Sequence, residues 1–514
     1  LVKSKPNILL ILTDDLGYSD LGCFGGEIRT PNLDQLGMEG LRFTQFYNSA
    51  RCCPSRASLL TGLYPHQTGV GEMTGDDDLP GYRGFLNDQC VTLAEVLGQA
   101  GYHTYLSGKW HVGKKDPIKR GFDEFYGMLG GFGSFWDEEL YVRLPKGRPQ
   151  RHYEQGEFYA TDAITDHALD FIEDSRQDDQ PFFLYLAYNA PHFPLQAPKE
   201  EIAKYEKLYE KGWDHIREDR LDRMKQLKII EEDILLPPRS EYWNRDRDLS
   251  GTNPAWETID PDRKKDLTRR MAIYAAMVDR MDQNVGRIVN DLREKGELEN
   301  TLILFCSDNG ACAEWDPWGF DDWITTSNIL HRKEDLDRMG DPDSYHSYGS
   351  GWANACTTPL RLYKHYSHEG GICTPLLVHW PEGMNRSGEI DHRPGHFIDF
   401  MATFVDIAGA DYPKTYKGHD ILPMEGESFM PALQGETPAT RTFCFEHEEH
   451  CGIRQGEWKL SKIKERDWEL YNINKDRTEM RNLADDYPEL VEDMRKTWEA
   501  WAERTHVYPR RENR

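Results

Sequence analysis

A chain of 514 residues with 38% hydrophobic content, 14 Trp, 25 Tyr and 21 Phe can build a sizeable packed core, which excludes a disordered segment. Its formal net charge of −27 excludes a general phosphate-backbone binder, which needs a basic face, but not a small anion held by a local cluster of cations or metal. No apolar run reaches the roughly 20 residues of a membrane span, and the ten cysteines show neither a CxxC pair nor zinc-type spacing, although Cys444 and Cys451 could bridge a hairpin.

The first predicted element is a strand from Pro6. The run Ile8-Leu9-Leu10-Ile11-Leu12 is apolar without alternation and stops at Thr13-Asp14-Asp15, as a strand buried on both faces of a parallel sheet does. No leader-type segment is read before it. A helix start follows at Pro54-Ser55, continued by 57–60, then a helix over 91–100 and a strand over 101–108 ending on a glycine. Helix 161–176 precedes a second apolar strand at 182–187. Residues 200–262 are charge-rich and read as a helical and loop insertion. Helix 263–295, strand 301–306, an irregular stretch at 311–358, strand 375–380 and helix 396–408 come next. Strands alternating with helices predict an α/β fold with a large, mixed, mostly parallel sheet flanked by helices. After about residue 410 the character changes. Short antiparallel strands at 441–445, 451–454, 458–463 and 468–473, then a helix at 488–503, predict a smaller α+β subdomain. The expected organisation is a catalytic domain over 1–410 and a C-terminal subdomain over 411–514.

In such sheets ligands gather beyond the carboxyl ends of the strands. Asp14 and Asp15 end one strand, and Ser307-Asp308-Asn309-Gly310 ends another. Asp14, Asp15, Asp308 and Asn309 offer four hard oxygen donors, short of the six to eight that Ca²⁺ takes; an Asp pair can equally cap a helix, and a turn without a metal has the same wording. Gly101-Tyr102-His103-Thr104-Tyr105-Leu106-Ser107-Gly108-Lys109-Trp110-His111 places a cation and an imidazole on one face of extended backbone, which suits a tetrahedral oxyanion. Ala190-Pro191-His192-Phe193-Pro194 holds a histidine in a stiff loop after a core strand.

Ala50-Arg51-Cys52-Cys53-Pro54-Ser55-Arg56, running into Leu59-Leu60-Thr61-Gly62, resembles the signature of the type I, formylglycine-dependent sulfatases of the alkaline phosphatase superfamily. The Gly101–His111 stretch resembles their second signature. Lys364 followed by Glu369-Gly370-Gly371, and Glu469-Leu470-Tyr471-Asn472-Ile473 with Arg481-Asn482-Leu483-Ala484, are similar to later blocks, in wording nearest to bacterial arylsulfatases. The resemblance implies a sulfuric ester hydrolase acting on an aryl sulfate or a sulfated carbohydrate through a formylglycine gem-diol and a sulfo-enzyme intermediate. It implies one Ca²⁺ on Asp14, Asp15, Asp308 and Asn309, with the formylglycine made from Cys52 as a further ligand. Lys109 and Lys364 then bind the sulfuryl oxygens, His192 protonates the leaving alcohol, and His111 deprotonates the second hydroxyl. Arg56 orients the hydroxyls, and Asp308 helps deprotonate the nucleophile. The implied partner is a formylglycine-generating or anaerobic sulfatase-maturating enzyme, with no nucleic acid and no membrane, and the implied location is periplasmic or extracellular.

Two departures stand out: Arg51 replaces a small or apolar residue, and Cys373-Thr374-Pro375 stands where Arg-Val-Pro is common. Cys53 is expected to point away and be structural. Three other readings remain open at this stage. They are a phosphomonoester or phosphonate hydrolase of the same superfamily, a non-catalytic binder of sulfated glycans, and a reactive-thiol enzyme built on Cys52 and Cys53.

Overall fold

The computed structural model describes residues 5–510 except 114, 245–248, 323–326 and 438, so parts of both predicted insertions lie outside the described residues. Its strands are β1 (Asn7–Thr13), β2 (Leu41–Tyr47), β3 (His103–Lys109), β4 (Glu124–Met128), β5 (Val142–Leu144) and β6 (Phe182–Ala187). A separate hairpin of β7 (Glu241–Asn244) and β8 (Leu249–Thr252) precedes β9 (Thr301–Ser307), β10 (Cys373–His379), β11 (Glu389–Asp391) and β12 (Gly395–His396). Apart from that hairpin these form one ten-stranded sheet in the order β11-β2-β10-β9-β1-β6-β3-β4-β5, with β12 beside β2. The centre, β9-β1-β6-β3-β4, is parallel, while β10 runs antiparallel to both β9 and β2.

The period-2 geometry of a strand divides the β1 run between two cores. Leu9 and Ile11 pack in one layer with helices Ala160–Ser175 and Pro261–Glu294. Ile8, Leu10 and Leu12 pack in the other with Leu59 and Leu60 of helix Cys52–Thr61, Leu93 of helix Leu93–Gln99 and Phe400 of helix Asp399–Ala408. An unbroken apolar run is therefore what a strand covered on both faces requires.

Beyond a two-stranded ribbon of β13 (Thr415–Tyr416) and β14 (His419–Asp420), four antiparallel strands follow in sequence: β15 (Thr442–His447), β16 (His450–Gln455), β17 (Trp458–Lys462) and β18 (Trp468–Asn472). Helix Pro488–Arg504 packs Met494, Trp498 and Trp501 onto Ile453, Leu460 and Leu470 of this sheet. Cys444 and Cys451 do not bridge this hairpin. The two cysteines are offset across the pair, Cys444 opposite Ile453 and Cys451 opposite Glu446, and both thiols are free and buried. Among the described residues no helix is long and apolar enough to cross a membrane.

Candidate active site

Because β1, β3, β6 and β9 are parallel neighbours, their carboxyl ends open on one edge, and the polar residues that follow them converge there. The backbone ties these ends together: Asp308 N–H donates to Thr13 C=O at 3.1 Å and Asp14 N–H to Ala190 C=O at 3.1 Å. Two glycines permit the close approach. A Cβ on Gly108 would lie 1.9 Å from the Ala187 carbonyl oxygen, and one on Gly310 would lie 1.9 Å from that of Gly370. Asp15, Ala50, His111 and His365 all take the left-handed region, with φ of 70°, 60°, 50° and 84°. Such backbone costs about 1–3 kcal/mol per residue and gathers where geometry is imposed by surrounding structure.

Helix Cys52–Thr61 enters this edge with its N-terminus, and all ten of its residues are buried. Cys52 is its first residue, at the positive end of the helix dipole. One turn on, the fully buried Arg56 donates Nε–H to Asp308 Oδ2 at 3.0 Å and Nη1–H to the Lys109 carbonyl at 3.0 Å. Its Nη2 lies 2.8 Å from Asp308 Oδ2 and 3.6 Å from Asp14 Oδ2. Lys109 Nζ is bonded to Asp14 Oδ2. Lys364 Nζ sits 2.8 Å from Asp15 Oδ1, and His192 Nε2 3.5 Å from Asp15 Oδ2. The His192 ring is fixed from behind by a 2.7 Å hydrogen bond between Nδ1 and the Phe193 carbonyl. His111 Nδ1 is 3.5 Å from Cys52 Sγ. The fold thus brings together all ten predicted site residues: Asp14, Asp15, Cys52, Arg56, Lys109, His111, His192, Asp308, Asn309 and Lys364.

Charge balance sets the protonation states. Burial alone would raise the Asp14 carboxyl, but Lys109, His192 and Arg56 hold it below the ordinary range. Burial together with the Asp14 charge pushes Asp308 well up. Lys109 and Lys364 are raised because Asp14 and Asp15 outweigh the cost of burial. Burial lowers His192, and lowers His111 to about 4, so both imidazoles favour the neutral form. The unmodified Cys52 thiol is held well below its usual value, first by a hydrogen bond from Cys53, then by Lys109 and His111 against burial.

The oxygen cluster fits a hard divalent cation. Asn309 Nδ2 donates to Asp15 Oδ1 at 2.7 Å and to the Gly310 carbonyl at 2.9 Å, which leaves its Oδ1 free to accept. That Asn309 Oδ1 and Asp14 Oδ1 are both buried without a hydrogen-bond partner. Native interiors rarely leave such atoms unsatisfied, and oxygens of this type are what Ca²⁺ or Mg²⁺ takes.

Cys53 does not point away as the sequence suggests. Its Sγ lies 3.2 Å from His111 Nε2, so both neighbouring thiols face one imidazole. At a helix start, adjacent residues project only about a quarter-turn apart, and a ring lying across the N-terminus can meet both. Sequence reasoning also missed a second polar group. Glu314 Oε1 lies 3.6 Å from Lys364 Nζ, 3.4 Å from Arg51 Nη1 and 3.0 Å from His365 Nε2, and His365 Nδ1 contacts Glu448 Oε2 at 2.8 Å. His365 adjoins Lys364 in sequence and could have been suspected; Glu314 and Glu448 carry no motif.

A protein-family model described as Sulfatase matches residues 6–410, and one described as N-sulphoglucosamine sulphohydrolase, C-terminal, matches 361–504. The chain is 34% identical over 440 residues to the arylsulfatase of Klebsiella aerogenes, covering 83% of this chain and 91% of that one. It is 28% identical over 500 residues to the N-acetylglucosamine-6-O-sulfatase of Bacteroides thetaiotaomicron, covering 89% and 78%. Among solved structures, Ps i-CgsB in complex with k-i-k-neocarrahexaose superposes with a TM-score of 0.67 at 27% identity, over 97% of this chain and 93% of that one.

Proposed function

The chain belongs to the sulfatase family of sulfuric ester hydrolases, and from that premise we propose that it cleaves its sulfate monoester with a formylglycine made from Cys52 and one calcium ion. The observation that carries this reading is the meeting of Cys52 with two buried lysines, a buried arginine and a carboxylate cluster that holds two orphaned oxygens. In the structure the Cys52 thiol stands where the formylglycine oxygens would be. When hydrated, that group supplies an oxygen nucleophile and a second hydroxyl. Asp14, Asp15, Asp308 and Asn309, with position 52 as a further ligand, would hold calcium, which would supply positive charge where oxyanion charge develops.

The remaining chemistry belongs to the chain's own side chains. Lys109, paired with Asp14, and Lys364, paired with Asp15, bind and neutralise the sulfuryl oxygens. Arg56 orients the hydroxyls at position 52, and Asp308 accepts the proton of the attacking one. With Nδ1–H donating to the Phe193 carbonyl, His192 carries a proton on Nε2 only as the imidazolium, the form that Asp15 and Asp14 favour against burial, and in that form it protonates the bridging oxygen as the alcohol leaves. His111, neutral and beside position 52, takes the proton of the second hydroxyl. As that proton leaves, the carbon–oxygen bond to sulfate breaks, sulfate departs and the aldehyde re-forms, so water is needed only to rehydrate position 52 and not to attack sulfur. The alcohol is an aryl or carbohydrate group, and the reading assigns the enzyme to the periplasm or the extracellular space, which cell fractionation tests.

The deciding experiment is mass spectrometry of tryptic peptide 52–56 from protein made in its native host or with a formylglycine-generating or anaerobic maturating enzyme. Formylglycine at position 52 beside an intact Cys53 is expected. An unmodified Cys52 under those conditions would overturn the mechanism and favour the thiol reading, for which Lys109 and His111 are suitable partners.

A further inference from the structure

The wall beside Lys364 is built from four stretches of the chain. Arg51 comes from the residue before the helix, Glu314 and Trp315 from the loop after β9, and His365 from the stretch after Lys364. His447 ends β15, and Glu448 opens the β15–β16 turn. Glu314 is the hub, in reach of Lys364, Arg51 and His365. The His447 ring lies 6.0 Å from that of His365 and its Nε2 3.6 Å from Glu448 Oε1. The Trp315 ring lies 5.3 Å from the His365 ring.

Three atoms of this wall are buried without a polar partner, Glu314 Oε2, Arg51 Nε and His447 Nδ1, while His447 Nε2 faces Glu448. The wall nonetheless reaches solvent, since the Arg51 side chain is 13% exposed and that of Glu448 35% exposed. Buried polar atoms left open at the mouth of a site fit a ligand that completes them.

The donor set decides which ligand. Carboxylates accept, guanidinium donates, and imidazole does either. A group that both donates and accepts at several points matches that mixture, and vicinal hydroxyls are such a group. A metal ion matches poorly, because the Arg51 guanidinium lies against the His365 ring. An aryl ring would cover the same atoms and satisfy none. Trp315 adds an apolar ring face, on which the C–H face of a pyranose can lie.

Resting on the sulfatase reading above, we propose that Arg51, Glu314, His365, His447 and Glu448, with Trp315, form a subsite for the hydroxyl-bearing sugar that carries the sulfate. The substrate is then a carbohydrate sulfate in preference to an aryl sulfate. Arg51, a departure from the family pattern, becomes a specificity residue, and the C-terminal sheet contributes to the site through the β15–β16 turn. A site built to hydrogen-bond hydroxyls discriminates by about 10⁴-fold against analogues lacking them, because its buried polar groups are then left unpaired; one or two groups left unpaired give about 10²-fold.

The test compares kcat/KM for 4-nitrophenyl sulfate with a panel of O-sulfated galactose, glucose, N-acetylglucosamine and N-acetylgalactosamine and their disaccharides. The protein is the whole chain, with formylglycine at position 52 verified by mass. At least one sugar sulfate should exceed the aryl ester by about 10²-fold or more. That ratio should fall at least about tenfold in His365→Ala and in Glu448→Gln, mainly through KM, with circular dichroism unchanged. A preference for the aryl ester over the whole panel, or a ratio that neither variant moves, would overturn the subsite while leaving the sulfatase reading intact. No hydrolysis of any ester by the verified protein would overturn the sulfatase reading and the subsite with it.

Discussion

At the scale of single residues, the consequence of losing His192 depends on what leaves. A sugar alkoxide is a poor leaving group and needs a proton in the transition state, whereas 4-nitrophenolate departs without one. His192→Ala should lower kcat/KM for a sugar sulfate about 10²–10⁴-fold and for 4-nitrophenyl sulfate by far less, as paired steady-state assays will report. Equal losses would assign His192 to binding instead. The buried charges carry a second prediction. Arg56, Lys109 and Lys364 face the carboxylates of Asp14, Asp15 and Glu314, while burial and the Asp14 charge hold Asp308 toward its neutral form, so the shell alone has little net charge to offer an anionic ester. A divalent ion would add two positive charges. Removing Ca²⁺ with a chelator should abolish turnover and lower Tm, and Ca²⁺ at a hundredfold excess over its Kd should restore about 2.7 kcal/mol of stability. A Tm indifferent to Ca²⁺ in calorimetry would argue against a resident ion.

At the scale of elements, the site depends on how closely two loops approach. Gly310→Ala places a methyl group 1.9 Å from the Gly370 carbonyl oxygen and 3.2 Å from Gly371 Cα. Neither contact is a side chain that can swing aside. The variant should lose about 1–3 kcal/mol in denaturant titration and bind Ca²⁺ more weakly, because Asp308 and Asn309 sit on the displaced loop. A wild-type denaturation midpoint would mean that the loops have slack. The same elements show what the sequence reveals and what it hides. β1, β6, β9 and β10 were legible because strands covered on both faces are unbroken apolar runs. β2 was not: Leu41–Tyr47 carries Arg42, Thr44 and Gln45, and its burial comes from β10 and β12 alongside and from packing that no local pattern records. β4 is short and contains Gly127. The strand-end clusters were readable as chemistry because their motifs are contiguous. Cys53 was misread because its neighbour's ring, His111, arrives from 58 residues away. Glu314 and Glu448 were invisible because what makes them interesting is whom they meet.

At the scale of the whole molecule, the C-terminal sheet is fastened to the core by buried charge. Glu369, at the start of the Glu-Gly-Gly block, has one oxygen 2.9 Å from Lys459 Nζ of β17 and the other 2.8 Å from Arg477 Nε, with the Tyr47 hydroxyl of β2 at 3.1 Å. Nearby, His368 Nε2 contacts Glu469 of β18 at 2.8 Å and Arg361 Nη1 the same carboxylate at 3.1 Å. These contacts bracket Lys364, so the sheet that brings Glu448 to the site also anchors the loop that carries a proposed sulfate ligand. Burial opposes ionisation of Glu369, but Lys459, Arg477 and Arg454 outweigh it and hold the carboxyl at about 2, against an ordinary value of 4.5. Because the folded value is the lower one, the stabilisation is complete above about 4.5 and is lost as pH falls through about 2. Glu369→Gln deprives the buried Arg477 of its carboxylate, while Lys459 keeps Glu479 at 2.9 Å, and should cost about 3 kcal/mol at neutral pH. The Tm gap between wild type and variant should be widest near pH 7 and should close progressively below about pH 4.5, in buffers of matched Ca²⁺ content. If that gap stayed constant down to pH 2.5, packing alone would hold the sheet. If it opened only in acid, the sign of the argument would be wrong. Because the anchored loop carries Lys364, the variant's KM for the sulfate ester should rise at temperatures well below its own Tm, which an unfolding defect confined to the C-terminal sheet would not produce.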